Sequence, residues 1–470
     1  MTLIRRIFTD SNCRHYRCAS YKAIRLSPEL CFARPNSGEQ VVRLTSWTRS
    51  AQGRTFLDMP RVLLLLPTTT YRTKAYLDAA LKLGVEVVAA SERPSTLQAQ
   101  NPSSLLSLDF ADPQRAASQA AEFARRFPID AVIAVDEDTA VVAAHIARAL
   151  ELSHNSVEST QSAKHKHRMR RVLNDAGVRV PRFWPFSLDE DAAVVASRAT
   201  YPCVVKPVFL STSRGVMRAD NPEQFVTAVK RLEALLSRPD LQRRGGPAAR
   251  EALAEVFIPG FEVAVEGLLT DGEFRALAIF DKPDPLDGPF FEETIYVTPS
   301  RLGKETQDEV VETTAAASRA MGLTRGPVHA ELRVNEHGAW VIEVAARAIG
   351  GLCSQALRFG EAVSLEELII RHALGENVSE IHRGEQAAGV MMIPIPHAGI
   401  LREVKGVDLA RRVPGVEDIV ITAHITQELS PPPEGSSYLG FIFSRAAAAD
   451  GAEAALREAH RRIEFVIEDT

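Results

Sequence analysis

The stretch VHAELRVNEHGAWVIE, residues 328–343, decides the fold. If its five residues NEHGA form the loop of a β-hairpin, Val334 pairs with Trp340 and Glu331 lies directly opposite Glu343. Opposed residues of an antiparallel pair share one face of the sheet, with Cβ atoms roughly 4.5 to 5.5 Å apart. Two facing carboxylates repel each other unless a cation lies between them, and a hard divalent cation such as Mg²⁺ removes that repulsion. The alternative is a solvated hairpin whose glutamates face water.

Positive charge and a loop of small residues flank this hairpin in the sequence. Arg347 follows Glu343 by four residues, and an arginine beside a metal–phosphate site can stabilise a transferring phosphoryl group. Upstream, the apolar strand CVVK ends at Lys206 and precedes the loop STSRG, residues 211–215. Small hydroxyl residues and a glycine let backbone N–H groups approach phosphate oxygens, while Lys206 and Arg214 supply charge. Taken alone, such a loop is more often a plain turn.

Strands and helices alternate from residue 59 onward, which predicts βαβ units and a parallel sheet. The predicted elements of this first half are strands at 62–66, 85–89, 129–135 and 203–206, and helices at 71–83, 114–127, 139–150, 164–176 and 222–236. The polar segment 237–250 is predicted to be a disordered surface insertion, with a lid or a partner-binding loop as the alternative. From about residue 385, further strands precede a closing helix at 451–463.

Charge and cysteines are unevenly distributed along the 470 residues. The formal net charge is −5, but residues 1–58 hold ten basic residues against four acidic ones, so the rest of the chain carries −11. Three of the five cysteines also lie in this leader, and the two left fit a reducing compartment, which predicts a cytoplasmic protein. Three interpretations of the leader stay open: an upstream extension before a start at Met59, a disordered basic tail, or an arginine-rich transit peptide.

Composition and motifs exclude several function classes. No apolar run approaches the roughly 20 residues of a membrane-spanning helix. The body has no basic stripe, so neither a membrane nor nucleic acid is an expected partner. The sequence has no GxxxxGK[ST] loop, no GxGxxG after the first strand, no GxSxG elbow, no HExxH and no paired CxxC. Familiar nucleotide loops, hydrolase triads and zinc sites are therefore not expected.

In combination, these features resemble the ATP-grasp family of carboxylate–amine ligases over roughly residues 60–465. The pattern is most similar to the L-amino-acid ligase, or dipeptide-forming, branch and to biotin-carboxylase-like members. The resemblance implies metal ligands at Glu331 and Glu343, with Arg347 near the γ-phosphate and an acyl phosphate. It further implies that two lysines, Lys166 and Lys206, bind the nucleotide. A loop that closes over the phosphates would contain Ser211, Ser213, Arg214 and Gly215. Glu255, Val256 and Phe257 would form the hinge that meets the adenine, and Glu262 would bind the ribose.

Two positions depart from the family pattern. Ala345 stands where many members have asparagine, so it cannot supply a third, amide ligand, although the L-amino-acid ligase branch also has alanine here. That branch carries a glutamate followed three residues later by histidine in its substrate pocket, and the matching residues are Glu293 and Tyr296. The resemblance therefore implies that Glu293 holds a substrate amine, whereas Tyr296 leaves the substrate class open.

The resemblance implies a mixed α/β and α+β multidomain fold. The expected segments are the basic leader at 1–58, an N-terminal parallel α/β domain at 59–155, a central two-lobed ATP-grasp domain at 156–384 and a C-terminal α+β domain at 385–470.

The implied reaction is ADP-forming ligation. ATP, with Mg²⁺ or Mn²⁺, converts a carboxylate into an acyl phosphate, and an amine then displaces the phosphate to give an amide. The expected partners are a small-molecule carboxylate and amine, and a homodimer is compatible with the resemblance. Two alternatives stay open: a biotin-carboxylase-like or glycinamide-ribonucleotide-synthetase-like activity, and a nucleotide-binding module without turnover. Cys353 is expected to be a buried structural cysteine. The acidic residues 136–138 are expected to form a solvated helix cap, with a ligand site at the carboxyl end of the preceding strand as the alternative.

Overall fold

Residues 59–469 are the part of the chain that the structure, a computed structural model, describes. The predicted leader lies outside this part. The helices are α1 (Thr73–Leu83), α2 (Pro113–Arg126), α3 (Glu137–Ala149), α4 (Val157–Lys164), α5 (Lys166–Asp175), α6 (Ala192–Arg198), α7 (Pro222–Leu236), α8 (Pro239–Gly245), α9 (Lys304–Ala320), α10 (Leu365–Ala373), α11 (Val407–Ala410) and α12 (Ala449–Arg461). The strands are β1 (Arg61–Leu65), β2 (Glu86–Ser91), β3 (Leu105–Ser107), β4 (Ala131–Ala134), β5 (Phe183–Ser187), β6 (Cys203–Pro207), β7 (Met217–Ala219), β8 (Glu251–Val256), β9 (Phe261–Thr270), β10 (Glu273–Lys282), β11 (Ile295–Thr298), β12 (Gly326–Asn335), β13 (Gly338–Ala345), β14 (Arg358–Phe359), β15 (Val363–Ser364), β16 (Ala387–Ile393), β17 (Gly399–Lys405), β18 (Val416–Ile421), β19 (Glu428–Leu429), β20 (Gly440–Ala446) and β21 (Glu464–Glu468).

The first four strands form a parallel sheet in the order β3–β2–β1–β4. Alternate residues of β1 enter two different cores, because successive side chains of a strand point to opposite faces. Val62 and Leu64 pack with α1 and α10, whereas Leu63 and Leu65 pack with α2 and α3. Helices thus cover both faces of the sheet, as parallel sheets require. The predicted N-terminal α/β architecture is confirmed.

A smaller antiparallel sheet, ordered β5–β8–β6–β7, carries helices α6, α7 and α8, and we call this part the small lobe. Its strand β6 is two-sided. Cys203 and Val205 are fully buried in the core beneath α7, where they join Leu232. Val204 and Lys206 point to the opposite face and line a cavity. Because side chains alternate along β6, Lys206 reaches the cavity while Cys203 and Val205 pack in the core of the small lobe.

The largest sheet has eight antiparallel strands in the order β13–β12–β9–β10–β11–β16–β20–β18. Helices α5 and α9 pack on its first strands, and α12 packs on its last ones. Strand β11 pairs with β16, with Tyr296 opposite Val390. The sheet is therefore continuous across residue 385, where the sequence predicts a domain boundary. The expected domain limits stay predictions.

One predicted helix begins two residues later than expected. In the predicted helix 164–176, Lys164 is the last residue of α4 and α5 begins only at Lys166, because His165 leaves the helical region at φ −102° and ψ 103°. The His165 imidazole caps α5 by accepting a hydrogen bond from Arg168 N–H at 3.5 Å. Lys166 is consequently the first residue of α5, and its side chain lines the cavity described below.

The prediction of a disordered insertion at 237–250 is wrong. This segment forms α8 and a short 3₁₀ turn, because Leu241 and Ala249 are buried in the core of the small lobe. The short strand β3 and the closing strand β21 are absent from the predictions. Among residues 59–469, no helix is both long enough and apolar enough to span a bilayer.

Candidate active site

A cavity lies between the small lobe and the large sheet. Strands β6 and β8 line it from the small lobe, and β9, β12 and β13 line it from the large sheet. Twelve of the fourteen residues predicted for the site line this cavity, namely Lys166, Lys206, Ser211, Ser213, Glu255, Val256, Phe257, Glu262, Glu293, Glu331, Glu343 and Arg347. Arg214 and Gly215 are not among its lining residues.

The hairpin of β12 and β13 pairs Glu331 with Glu343, as predicted, but through a different turn. Val334 lies opposite Ala339, so the predicted pairing of Val334 with Trp340 is wrong, and the turn contains two residues rather than five. The Asn335 side chain fixes this tight turn by accepting hydrogen bonds from His337 N–H at 3.0 Å and from the Trp340 indole at 3.1 Å.

A β-bulge restores the register that the short turn would have shifted. Ile342 has no partner on β12, so β13 gains one residue between the turn and Glu343. The fully buried Arg170 donates a hydrogen bond to the Ile342 carbonyl. Without the bulge, Glu343 would point to the opposite face of the sheet, because a one-residue shift exchanges the two faces of a strand.

Each of the two facing carboxylates has its own cationic neighbour. Lys166 Nζ lies 3.1 Å from Glu343 Oε1. Lys282 Nζ and His329 Nε2 each lie 3.4 Å from Glu331 Oε1. Burial alone would raise the pKa of Glu331, but Lys282 and His329 outweigh burial and hold this pKa well below its usual range. The repulsion between the carboxylates is therefore balanced by protein cations.

The donor set of the hairpin fits the implied divalent metal. Glu331 and Glu343 present carboxylate oxygens to one cavity from neighbouring strands, and hard oxygen ligands are those that Mg²⁺ and Mn²⁺ prefer. Ala345 lies at the buried end of the same strand and supplies no third ligand.

A tighter acidic cluster adjoins Glu331. Glu262, Glu293 and Glu331 each place one carboxylate oxygen within 4.8 Å of the others. Lys282 Nζ lies among them, 2.8 Å from Glu262 Oε1 and in an ion pair with Glu293, while Arg333 Nε donates to Glu262 at 2.8 Å. Burial opposes the charge of Lys282, but these carboxylates hold its pKa well above the usual range. Burial, followed by the Glu331 charge, raises the pKa of Glu293 to about 7.

A buried histidine connects the hairpin to the segment that follows it. His329 Nδ1 pairs with the fully buried Glu266, whose other oxygen accepts a hydrogen bond from Ile349 N–H at 3.1 Å. Burial lowers the pKa of His329, but Glu266 and Glu331 outweigh burial and raise it to about 9. A cationic imidazole thus orients Glu331 and links it to the segment that contains Arg347.

Lys206 lies in a buried ion-pair triad. Its Nζ pairs with Glu255 Oε2, and Arg170 Nε lies 2.7 Å from Glu255 Oε1. All three residues are less than 5% exposed. Burial lowers the pKa of Lys206 to about 8 in spite of the opposing Glu255 charge. Burial would raise the pKa of Glu255, but its two cations outweigh burial and lower it. The carboxylate therefore holds Lys206 in place.

The predicted phosphate loop has an inner and an outer part. Ser211, Thr212 and Ser213 line the cavity, and Lys166 Nζ donates to the preceding carbonyl, that of Leu210, at 2.8 Å. The outer residues 214–215 make their contacts with the C-terminal part of the chain. The expected contact of Arg214 with phosphate stays a prediction, since its guanidinium binds a main-chain carbonyl here.

In the predicted adenine hinge, two main-chain N–H groups already donate hydrogen bonds to carbonyl oxygens of the protein. Val256 N–H donates to the Arg182 carbonyl and Phe257 N–H to the Pro202 carbonyl, both at 2.9 Å. A contact with the adenine edge therefore cannot use these two donors in this conformation. The Phe257 ring is covered by the Arg218 guanidinium, 4.3 Å from its centroid.

The N-terminal domain contributes an acidic residue that contacts Arg347, one of the residues lining the cavity. Arg347 Nε lies 3.2 Å from Glu137 Oε2, and both side chains are largely buried. Burial raises the pKa of Glu137, and the Arg347 charge opposes that shift. The prediction of a solvated helix cap at residues 136–138 is therefore wrong for Glu137, because this carboxylate orients the predicted catalytic arginine.

Apolar and aromatic side chains line the inner end of the cavity beside Glu293. They are Tyr296, Cys353, Met392 and Tyr438. Burial and then the Glu293 charge hold the pKa of the Tyr296 hydroxyl well above its usual range. Burial likewise raises the pKa of the Cys353 thiol, so this cysteine stays protonated and is not an activated nucleophile.

Three of the residues that build this site escaped the sequence reasoning. Lys282 ends the apolar strand AIFDK directly before a proline, as Lys206 ends CVVK, so the signal that identified Lys206 also marks Lys282. His329 lies two residues before Glu331, a spacing that places both on one face of a strand. The contact of Glu137 with Arg347 spans 210 positions of the chain and leaves no local signal.

Three family profiles match successive parts of the chain. They are the ATP-grasp N-terminal domain over residues 77–154, the ATP-grasp domain over 199–356 and the L-amino acid ligase C-terminal domain 2 over 391–468. The chain belongs to the ATP-grasp superfamily. The ATP-grasp profile spans the loop at 211–215, residues 255–257, the hairpin of β12 and β13, and Arg347, so the predicted family resemblance is confirmed.

Two curated relatives show which ATP-grasp ligases this chain is similar to. It is 27% identical to alanine–anticapsin ligase of Bacillus subtilis over 239 residues, 48% of this chain and 49% of that protein. It is also 27% identical to dapdiamide A synthase of Enterobacter agglomerans over 228 residues, 48% of this chain and 52% of that protein. The chain thus matches about half the length of these two relatives.

A solved structure shows the same similarity over most of the chain. The L-amino acid ligase from Bacillus licheniformis superposes on this ATP-grasp protein with a TM-score of 0.73 at 25% identity, covering 87% of this chain and 99% of that one. The protein is therefore an ATP-grasp ligase close to the L-amino acid and dipeptide-forming ligases, and the predicted mixed α/β fold with a central ATP-grasp core is confirmed.

Proposed function

We propose that this ATP-grasp ligase activates the carboxylate of one amino acid as an acyl phosphate and joins it to the amine of a second, with release of ADP and phosphate. One observation carries the proposal: a single cavity has lysines and a hydroxyl-rich loop on one side, the Glu331–Glu343 pair on the other, and Glu293 in an apolar inner end. A homodimer and a cytoplasmic location stay predictions from the sequence.

The charged part of the cavity suits the phosphates of ATP. Lys166, Lys206 and Arg347 lie along it, so their positive charges would bind and orient the phosphate groups. Glu331 and Glu343 would hold Mg²⁺, which supplies further charge neutralisation when bound. The loop at 211–213, which lines the cavity, would exclude water and so protect an acyl phosphate from hydrolysis.

The inner end suits an amino acid. Glu293 presents a carboxylate for a substrate ammonium group, and its pKa of about 7 allows ionisation when that cation arrives. Tyr296, Met392 and Tyr438 form an apolar and aromatic wall, which fits an uncharged substrate side chain. The similarity to alanine–anticapsin ligase and to the L-amino acid ligase from Bacillus licheniformis supports the same substrate class.

The test incubates the full 470-residue chain with ATP, Mg²⁺ and pooled amino acids, and measures ADP, AMP and phosphate together with peptides by mass spectrometry. We expect ADP and a peptide in equal amounts. Formation of AMP and pyrophosphate would refute an acyl phosphate. ADP formation that requires bicarbonate and biotin would instead support a carboxylase, and nucleotide binding without any product would support a module without turnover.

A matched pair of variants checks the metal site. Glu343→Gln should abolish Mg²⁺-dependent turnover and leave the fold intact. Glu336→Gln, at the exposed turn of the same hairpin, should retain full activity, since its side chain is 79% exposed. Equal activity of both variants would remove Glu343 from the metal site.

A further inference from the structure

Residues 431–435, here called the clasp, bind the outer part of the loop at 211–215. Gly215 N–H and Arg214 Nε each donate to a carbonyl oxygen of the clasp, both at 2.8 Å. These bonds join the C-terminal part of the chain to the small lobe. The predicted phosphate loop is therefore held from outside the ATP-grasp core as well as from within it.

An ion pair strengthens the same junction. Arg231, on α7, binds both carboxylate oxygens of Glu434, with Nη2 2.7 Å from Oε2. Two parallel hydrogen bonds fix direction as well as distance. The Arg231 guanidinium also lies 5.0 Å from the centroid of the Phe290 ring. The clasp itself is a tight turn, since a Cβ on Gly435 would lie 1.6 Å from the Ser430 carbonyl oxygen.

The loop that the clasp holds has a strained backbone. Thr212 and Ser213 have φ of 56° and 53°, in the left-handed region that residues with a Cβ rarely adopt. Both residues line the cavity, so the strained part of the loop is the part that faces the nucleotide. A strained conformation persists only where surrounding contacts stabilise it, and the clasp supplies such contacts to the next two residues.

We propose that Glu434 is a positioning residue. Through Arg231 and the clasp carbonyls, it holds residues 211–215 in the conformation that binds the nucleotide phosphates. The clasp leads directly to Tyr438, which lines the substrate end of the cavity, so one segment supports both ends. The inference rests on nucleotide binding by this cavity, and is independent of which carboxylate and amine are joined.

The test compares Glu434→Gln with the wild-type full-length chain in two measurements. Calorimetric titration with MgADP should show a dissociation constant raised about three- to tenfold, as for the loss of one well-oriented, partly exposed ion pair. Trypsin should cleave faster after Arg214 while cleavage elsewhere and the melting temperature stay unchanged. Arg231→Gln should give the same result, and the double variant should be no weaker than either single variant, because the two side chains act as a pair.

Glu458→Gln is the matched control. Glu458 lies in the same part of the chain, pairs with two arginines and is 36% exposed, against 37% for Glu434. It should leave the MgADP affinity and the cleavage after Arg214 unchanged. Wild-type values for Glu434→Gln, or faster cleavage throughout the chain with a lower melting temperature, would overturn the positioning role. A wild-type chain that binds no MgADP would refute the proposed function and the inference together.

Discussion

Replacing Glu255 by glutamine would leave two buried cations without their shared carboxylate. Lys206 Nζ and Arg170 Nε both pair with Glu255, and all three side chains are nearly inaccessible to solvent. Removing one partner from such a buried pair typically costs about 3 to 5 kcal/mol, because the remaining charge stays desolvated. The unfolding entropy of roughly 410 residues is about 0.9 kcal/mol per degree, so the melting temperature should fall by about 3 to 6 °C.

The same substitution should change how nucleotide binding depends on pH. In the folded chain Lys206 has a pKa of about 8, below its usual value of 10.5, because it is buried. Between these two values the unfolded chain binds a proton that the folded chain has lost, so this group's contribution to stability rises with pH in that window. MgADP binding should do the opposite and weaken above about pH 8, since Lys206 loses its charge. Without Glu255 the pKa falls further, so this weakening should begin below pH 8.

Calorimetric MgADP titrations from pH 6.5 to 9, with thermal unfolding at each pH, test both expectations. At neutral pH, Glu255→Gln should bind MgADP about tenfold more weakly or worse, the loss expected for one charge-assisted contact. The control is Glu251→Gln, on the same strand, whose carboxylate is 48% exposed and lies 3.5 Å from His165. Wild-type stability and an unshifted pH profile in Glu255→Gln would refute the role given to the triad.

Three further predictions concern the other charged groups of the site. Glu137→Gln should lower kcat about tenfold with little change in KM for ATP, because Arg347 loses its orienting carboxylate; an unchanged kcat would contradict this. Lys282→Met should lower the melting temperature by about 3 to 6 °C, as buried Glu262 and the partly buried Glu293 and Glu331 lose their common cation, whereas Lys405→Met, at an exposed lysine, should shift it by less than about 1 °C. Chelation of divalent metal by EDTA should abolish ADP formation yet leave the melting temperature unchanged, because Lys166 and Lys282 already neutralise Glu343 and Glu331.

The sequence predicts the facing glutamates correctly by way of an incorrect turn. A five-residue loop and a two-residue loop followed by a bulge both place Glu331 opposite Glu343. The bulge at Ile342 depends on a hydrogen bond from Arg170, which is distant in sequence, so hairpin patterning could not reveal it. Periodicity reports which face a residue occupies, but it does not report how tightly the turn is made.

Local signals predict residues that end buried strands, and they miss partners that meet only in the folded chain. Lys206 is found because an apolar strand leads to it, and Lys282 would be found by the same criterion. Glu137 and Glu434 lie in segments that read as an ordinary helix start and a proline-rich loop. Their importance comes from arginines more than 200 positions away. Composition and spacing cannot supply such pairings, because they arise from the packing of separate elements.

The eight-stranded sheet limits how this enzyme could be recombined with its relatives. The C-terminal family profile begins at residue 391, which suggests an exchange of C-terminal segments near residue 385. Strand β16, however, lies beyond that position and forms main-chain hydrogen bonds with β11, which lies before it. A grafted segment must therefore reproduce the pairing of Val390 with Tyr296, or it moves Tyr296 within the cavity. Chimeras that join at this position would take the geometry of the cavity from both parents, because Tyr296 and Met392 line it from strands on either side of the junction.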